Sequence, residues 1–369
     1  MSRLWMRSKQ AARLLARAST VACVLGLLSG LFSVASARAA TSIVERPVSF
    51  QVKNTDTSGV ACSSDSAEYT VRGHITGPRS ALVGQAPRAI AMYLTGLDVG
   101  EWNWRLTSIP AYDWPLQMAK LGYVSLTIDM LGYGTSGHPQ GNNSCYGSQA
   151  DVTHQIIEEL RSGEYQTADG TAAPSFTRIA LVGHDVGGAF AQIEAYSYKD
   201  IDGLIVVTWA DQGQTPLIFE RSLRAGTVCS AGGQDAQAGG PGGYFFMERP
   251  AEYRPDLFYN ADPAVIAAYG QRREPNPCGY EPTTLEAIAV DLARLGEIHV
   301  PVLLAIGAKD KIWTQDGWAQ QKGHFTGSND VTAVSLPDTG HYPMLERTAP
   351  KFRMIVANWL NGHGFADTP

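Results

Sequence analysis

The sequence predicts an α/β protein with a mostly parallel central sheet flanked by helices and a mainly helical segment inserted late in the chain. Three observations carry that expectation. Short, continuously apolar runs alternate with amphipathic segments, as doubly covered strands alternate with their crossover helices. Several of those runs empty into turns that hold Gly and Asp. The alternation stops over positions 214–295 and then resumes.

The first residues stand apart from this pattern. Arg3, Arg7, Lys9, Arg13 and Arg17 form a cationic front, Val21 to Val34 is apolar, and Ala37-Arg38-Ala39 is an A-x-A site. The apolar run is about 14 residues long against the roughly 20 that a bilayer requires, so 1–39 is read as a secretory signal peptide cleaved near Ala39. The mature chain is expected to be secreted or otherwise extracytoplasmic, without a stable membrane span.

Cleavage lowers Lys+Arg from 29 to 23 against 35 acidic residues, a net charge of −12. Such an acidic surface argues against nucleic acid or anionic lipid as a partner. Cys23 leaves with the signal, and Cys62, Cys145, Cys229 and Cys278 remain. An even number in an exported chain predicts two disulfides with three possible connectivities. Cys229–Cys278 with Cys62–Cys145 is favoured, because the first pair brackets one compositionally distinct segment. The spacing matches no zinc pattern, and neither a metal nor a cofactor is expected.

In order along the chain, Ser42 to Val52 and Glu68 to Ile75 alternate apolar and polar residues, as half-buried antiparallel strands at a sheet's outer edge do. Ala89 to Leu94 is a buried strand that ends at Thr95-Gly96-Leu97-Asp98. Tyr112 to Leu121 reads as a helix and Tyr123 to Ile128 as a strand, which empties into the D-x-x-G-x-G-x-S turn from Asp129 to Ser136. A helix over Asp151 to Arg161 leads to the run Ile179-Ala180-Leu181-Val182-Gly183-His184-Asp185-Val186-Gly187-Gly188. There an apolar strand turns sharply into a helix from Ala189 to Tyr198, with small residues flanking one reactive side chain. This is a nucleophile elbow, and its reactive residue is Asp185.

Gly203 to Trp209 is a further buried strand, so 40–213 forms the first part of the core. The segment 214–295 has a Gly-rich stretch, is dense in aromatic residues and lacks any strand-like buried run, which predicts an inserted helical cap. Val300 to Ile306, Trp313 to Lys322, Val331 to Leu336 and Lys351 to Leu360 then complete the core over 296–369 as strand, helix, strand and helix.

Asp185, Asp310 and His341 each lie just past the carboxyl end of a buried strand, and a parallel sheet gathers such ends on one edge. In that order, with Asp129 to Ser136, Gly307-Ala308-Lys309-Asp310 and Thr339-Gly340-His341 with Glu346 downstream, the chain resembles the α/β-hydrolase superfamily. The resemblance implies the α/β-hydrolase fold and casts Asp310 as the partner that orients His341. Backbone N–H groups of Val186 and Leu97 become the oxyanion donors. Thr95-Gly96 stands where relatives usually carry His-Gly.

An aspartate at the elbow is similar to the epoxide hydrolases and haloalkane dehalogenases. A carboxylate is a poor acyl nucleophile but suits displacement at saturated carbon, giving an alkyl ester that His341-activated water hydrolyses. Dehalogenases typically place a tryptophan after the nucleophile and often an asparagine in the preceding loop. Here those positions are Val186 and Leu97, with Trp102 and Trp104 as distant substitutes. Epoxide hydrolysis of a small apolar molecule is therefore expected. The resemblance implies cap tyrosines as proton donors to the alkoxide, here Tyr244, Tyr253, Tyr259, Tyr269 and Tyr280. An esterase- or lipase-derived scaffold with other hydrolytic, cyclase or lyase activity, and an inactive ligand-binding homologue, are the alternatives. His184 is expected to pack under the turn and Asp98 to sit in a loop or on the pocket rim.

Overall fold

The computed structural model describes residues 42–83 and 88–366, and the expected signal peptide lies outside them. Among the described residues, eleven strands are β1 Ile43–Lys53, β2 Glu68–Pro78, β3 Ala89–Leu94, β4 Ser125–Asp129, β5 Gln166–Thr167, β6 Arg178–His184, β7 Gly203–Val207, β8 Tyr244–Phe245, β9 Asn276–Pro277, β10 Val302–Gly307 and β11 Val331–Leu336. Nine of them form one sheet in the order β11-β10-β7-β6-β3-β4-β2-β1-β5. From β4 through β11 the neighbours run parallel. β1 and β2 add an antiparallel hairpin against β4.

The residue patterns explain this division. β3, β4, β7 and β10 are buried at every position, because helices cover both faces of the parallel part. β1 and β2 instead bury alternate residues, such as Phe50, Val52 and Val71, and turn polar ones outward. The sheet's outer edge is not β1 but the two-residue β5, paired at Val48↔Thr167 and Ser49↔Gln166. A strand that short carries no periodicity and is invisible in the sequence.

Helix Val186–Ser197 follows β6 and is buried from Val186 through Tyr196, with helices Tyr146–Ser162 and Tyr280–Arg294 packed on it. Helix Tyr146–Ser162 begins five residues before the expected Asp151, since Ser148 Oγ accepts the Cys145 N–H at 3.0 Å and closes its first turn. The segment 214–295 contains helices Pro216–Ser230, Tyr253–Leu257, Pro263–Arg272 and Tyr280–Arg294. It also carries the small antiparallel pair β8–β9. A satellite core of Ala225, Phe245, Met247 and Cys278 lies inside it. Cys62–Cys145 and Cys229–Cys278 are the disulfides, as the favoured connectivity has it. The second joins the end of helix Pro216–Ser230 to the start of helix Tyr280–Arg294.

Candidate active site

The site is built on the end of β6. Asp185 has φ 53° and ψ −130°, a strained backbone for a residue with a side chain. Its N–H donates to Val207 O on neighbouring β7 at 2.9 Å, and Gly188 N–H donates to its carbonyl at 2.7 Å. Strand and helix approach so closely that a Cβ on Gly183 would stand 2.0 Å from Gly187 O. A second close approach comes from the loop after β3, where a Cβ on Gly96 would stand 2.7 Å from Asp185 Cβ. Only glycine lets that loop reach the aspartate.

Topology brings the three expected residues together. His341 Nδ1 lies 2.8 Å from Asp310 Oδ2, and its Nε2 lies 3.7 Å from Asp185 Oδ1, an ion pair longer than a hydrogen bond. Asp310 Oδ1 also accepts the N–H groups of Ile312 and Trp313 at 2.7 and 3.3 Å, which fixes its carboxylate. Leu97 N–H donates to Asp185 Oδ2 at 2.9 Å. Val186 opens the elbow helix and lines the same cavity as Leu97.

Charge inside this buried group is shared. Burial pushes His341 down, but the Asp310 and Asp185 carboxylates outweigh it and raise it to about 10. Burial pushes Asp185 up, and His341 with the Leu97 N–H more than reverses this and holds it below the usual carboxylate range. At neutral pH the site rests as an imidazolium facing a carboxylate. His184, directly before Asp185, is driven the other way, to about 3, by burial and by the charge on His341. It is therefore neutral, with the proton on Nε2, which donates to His341 O at 2.9 Å. His184 does pack under the turn, and it also ties the histidine loop to the elbow.

Two more carboxylates hold this arrangement. Glu346 accepts N–H groups of Gly340, Tyr259 and Asn260 at 3.0, 2.7 and 2.9 Å, while His341 N–H donates to Leu257 O at 2.8 Å. Asp98, expected in a loop or on the rim, is instead fully buried. Its carboxylate accepts from Met247 N–H at 2.9 Å, Glu248 N–H at 3.2 Å, Arg273 at 2.5 Å and Asn276 Nδ2 at 2.6 Å. A loop aspartate thus becomes the pin for the inserted segment, because that segment supplies donors from three separate places. Nothing in the local sequence Gly96-Leu97-Asp98-Val99-Gly100 announces such donors.

Above Asp185 opens a cavity of about 750 Å³, walled by apolar side chains including Ile218, Trp209, Trp313, Met247 and Ile288. At its rim Leu223 and Leu285 are 75% and 74% exposed. Of the five cap tyrosines, Tyr280 lines this cavity, and its hydroxyl accepts from Gln149 Nε2 at 2.9 Å. Tyr244 donates to Pro139 O at 2.8 Å, Tyr269 meets the Tyr342 hydroxyl at 3.3 Å, Tyr253 packs at a tilt against Tyr269, and Tyr259 is exposed beneath Lys309. Trp104 is core and donates to Leu94 O, and Trp102 packs edge-on against Tyr269. The indoles that do line the cavity give their N–H groups to protein acceptors, Trp209 to Asp211 and Trp313 to Thr208 O. Sequence reading missed Glu248, a buried acid beside Asp185 and His341. Phe246-Met247-Glu248-Arg249-Pro250 contains no motif that marks it.

Among the described residues, one group has metal-ligand types close together: His154, Glu194 and Asp200, with ligand atoms within 4.8 Å of one another. Glu194 lies nine positions along the elbow helix from Asp185, about 13 Å at helical rise. His154 Nδ1 is already engaged with Asp200 at 2.7 Å. This group belongs to a different part of the molecule from Asp185.

The description "Alpha/beta hydrolase family" attaches to a family profile that matches residues 96–352, more than half of the chain. Among curated proteins, none matches the sequence. Similar solved structures include a thermophilic esterase from Thermogutta terrifontis, with TM-score 0.58 and 19% identity over 85% of this chain and 99% of that one. An enol-lactonase from Burkholderia xenovorans LB400 has TM-score 0.56 and 19% identity over 79% and 97%. A monoacylglycerol lipase from Paleococcus ferrophilus has TM-score 0.56 and 18% identity over 77% and 98%. At these identities the likeness is one of fold. No helix among the described residues is long and apolar enough to cross a membrane.

Proposed function

The chain belongs to the alpha/beta hydrolase family, and from that premise we propose that it is a secreted hydrolase in which Asp185 attacks a saturated electrophilic carbon, that of an epoxide, to form an alkyl-enzyme ester. The observation that carries this reading is the 2.9 Å hydrogen bond from Leu97 N–H to Asp185 Oδ2. In acyl transfer from a serine, such a donor must receive the substrate's carbonyl oxygen. Here it holds an oxygen of the nucleophile itself. That placement is productive when the oxyanion develops on Asp185, as it does when water attacks an Asp185 ester.

The proton balance agrees. Asp185 Oδ1 bonds to one ring carbon, the C–O bond of the epoxide breaks, and the alkoxide takes a proton. Alkylation abolishes the Asp185 charge and with it part of what holds the extra proton on His341. Tyr280 gives the alkoxide its proton, and the proton that His341 releases restores the tyrosine, leaving the neutral imidazole that the second step needs. Formation of the ester therefore does not require His341. Water then loses a proton to His341, and Asp310 stabilises the imidazolium. Collapse frees a diol and restores the resting pair. Tyr280 is given this part because, of the five cap tyrosines, it is one that lines the cavity.

The substrate is apolar and bulkier than the small molecule expected from sequence, since about 750 Å³ lies high in the range of roughly 300–1,000 Å³ for ligand pockets. Cavity indoles with committed N–H groups favour epoxides over halides. The two disulfides suit an oxidising compartment. The test is intact-mass and peptide analysis of His341→Gln after incubation with a panel of aryl and long-chain alkyl epoxides. An alkyl ester on Asp185 is the expected outcome. Turnover of simple esters without any adduct refutes the reading.

A further inference from the structure

Asp185 borders two spaces. One is the apolar cavity. The other is a chamber of about 20 Å³ bounded by Asp185, His341, Glu248 and Tyr342, with Leu257 and Ile312 among its apolar walls. Roughly 10–15 Å³ of this kind of volume is what one water occupies, and a water requires two to four polar partners. Glu248 and His341 line the chamber and are not part of the cavity wall. The small chamber adjoins the cavity, with which it shares Asp185, Leu97, Ile218, Met247 and Ile312, and adds to that shared wall the polar side chains of Glu248, His341 and Tyr342 around a volume sized for a single water.

Glu248 is held in the chamber by its backbone. Its N–H donates to Asp98, and its carbonyl accepts from Arg273. The residue is 4% exposed. What acts on its carboxyl is burial, then the charges of Asp98 and Asp185, with Arg273 and His341 opposing. We propose that Glu248 is a catalytic residue of the second half-reaction, its carboxyl and His341 Nε2 together seating the water that attacks Cγ of the Asp185 ester. The assignment rests on the Asp185 ester reading.

The step balances. One water proton passes to His341 Nε2, the other hydrogen is donated to a Glu248 oxygen, and the water oxygen bonds to Cγ. The Cγ–Oδ2 π pair moves onto Oδ2, where Leu97 N–H receives it. Collapse restores that π bond, breaks Cγ–Oδ1 and sends the alkoxide off with the proton from His341. The remaining acid proton returns to His341. Burial and the charges on Asp98 and Asp185 push Glu248 well above the usual carboxylate range. In either protonation state a Glu248 carboxyl oxygen accepts a hydrogen bond from water.

The experiment compares Glu248→Ala and Glu248→Gln with the wild-type chain, using the panel epoxide turned over fastest. In Glu248→Ala the ester should accumulate on Asp185. Its kcat should fall about 10- to 100-fold while KM falls in parallel, leaving kcat/KM within about threefold. Glu248→Gln keeps an acceptor oxygen and should recover most of kcat. A parallel loss of kcat and kcat/KM without ester, or an unchanged kcat, overturns the role. Active sites are counted by the alkylation burst, so partial misfolding lowers amplitude without altering the ratio of the steps. Should Glu248→Ala not fold, Glu248→Met is the substitute without an acceptor. His341→Gln free of ester defeats the Asp185 reading itself. Ester in His341→Gln but not in Glu248→Ala defeats only the part given to Glu248.

Discussion

Beneath the cavity, Asp185 is positioned by backbone: a strained turn, strand ends side by side, and glycines at 183 and 96 where any Cβ would collide. Above it, the segment 214–295 is positioned by side chains: the Asp98 cluster, a disulfide and a small satellite core. The floor tolerates almost no change because its geometry is steric. The roof is an apolar surface fastened at a few polar points, so its lining is free to vary as long as the fasteners stay. On the proposed function, reaction type belongs to the floor and substrate choice to the roof.

The comparison breaks most visibly at a fastener. Asp98→Ala leaves Arg273 buried without its charge partner and strips acceptors from Met247 and Glu248. A loss of about 3–5 kcal/mol is expected in urea unfolding, the range for removing one member of a buried pair. A loss below about 1 kcal/mol would mean that the roof is held elsewhere. Gly96→Ala probes the floor. The new Cβ meets Asp185 Cβ at 2.7 Å and its Oδ2 at 2.8 Å, so the carboxylate must move. Turnover is expected to fall about 100-fold, as misplacement by about 1 Å does.

A pH series separates the two regions further. Unfolded His341 titrates near 6.5 and the folded residue near 10. Its ion pairs therefore stabilise the fold fully below about pH 6.5 and progressively less as pH rises to about 10. Stabilities of the wild-type and His341→Gln chains should converge across that interval, and curves that stay parallel would contradict the charge arrangement. The smallest effects belong to the rim. Leu223→Ser and Leu285→Ser, both at highly exposed positions, should change stability by no more than about 0.5 kcal/mol. KM for the bulkiest panel epoxides should rise about three- to tenfold while that for the smallest stays put.

Reading residues in order was enough to place β3 and β11 to the residue and to put Asp185, Asp310 and His341 at strand ends. Buried parallel strands and their turns are local patterns, dictated by hydrophobic runs and by the need for small residues where backbones meet. The same reading missed β5, understated Asp98 and passed over Glu248. Their meaning comes from partners 149 to 178 positions away in the case of Asp98, and no local pattern encodes such distances.

The sequence by itself determined the sheet, the elbow and the order of the three residues on its edge, because strand burial and turn sterics are short-range. It also put an aspartate at the elbow, and the proposed attack on saturated carbon rests on that residue type. Only the tertiary structure decided that a backbone N–H holds the aspartate's own oxygen, that the cavity is large and apolar, and that a buried acid shares a small chamber with the histidine. Those facts depend on how a distant segment folds over the sheet, where burial and neighbouring charge set each group's chemistry.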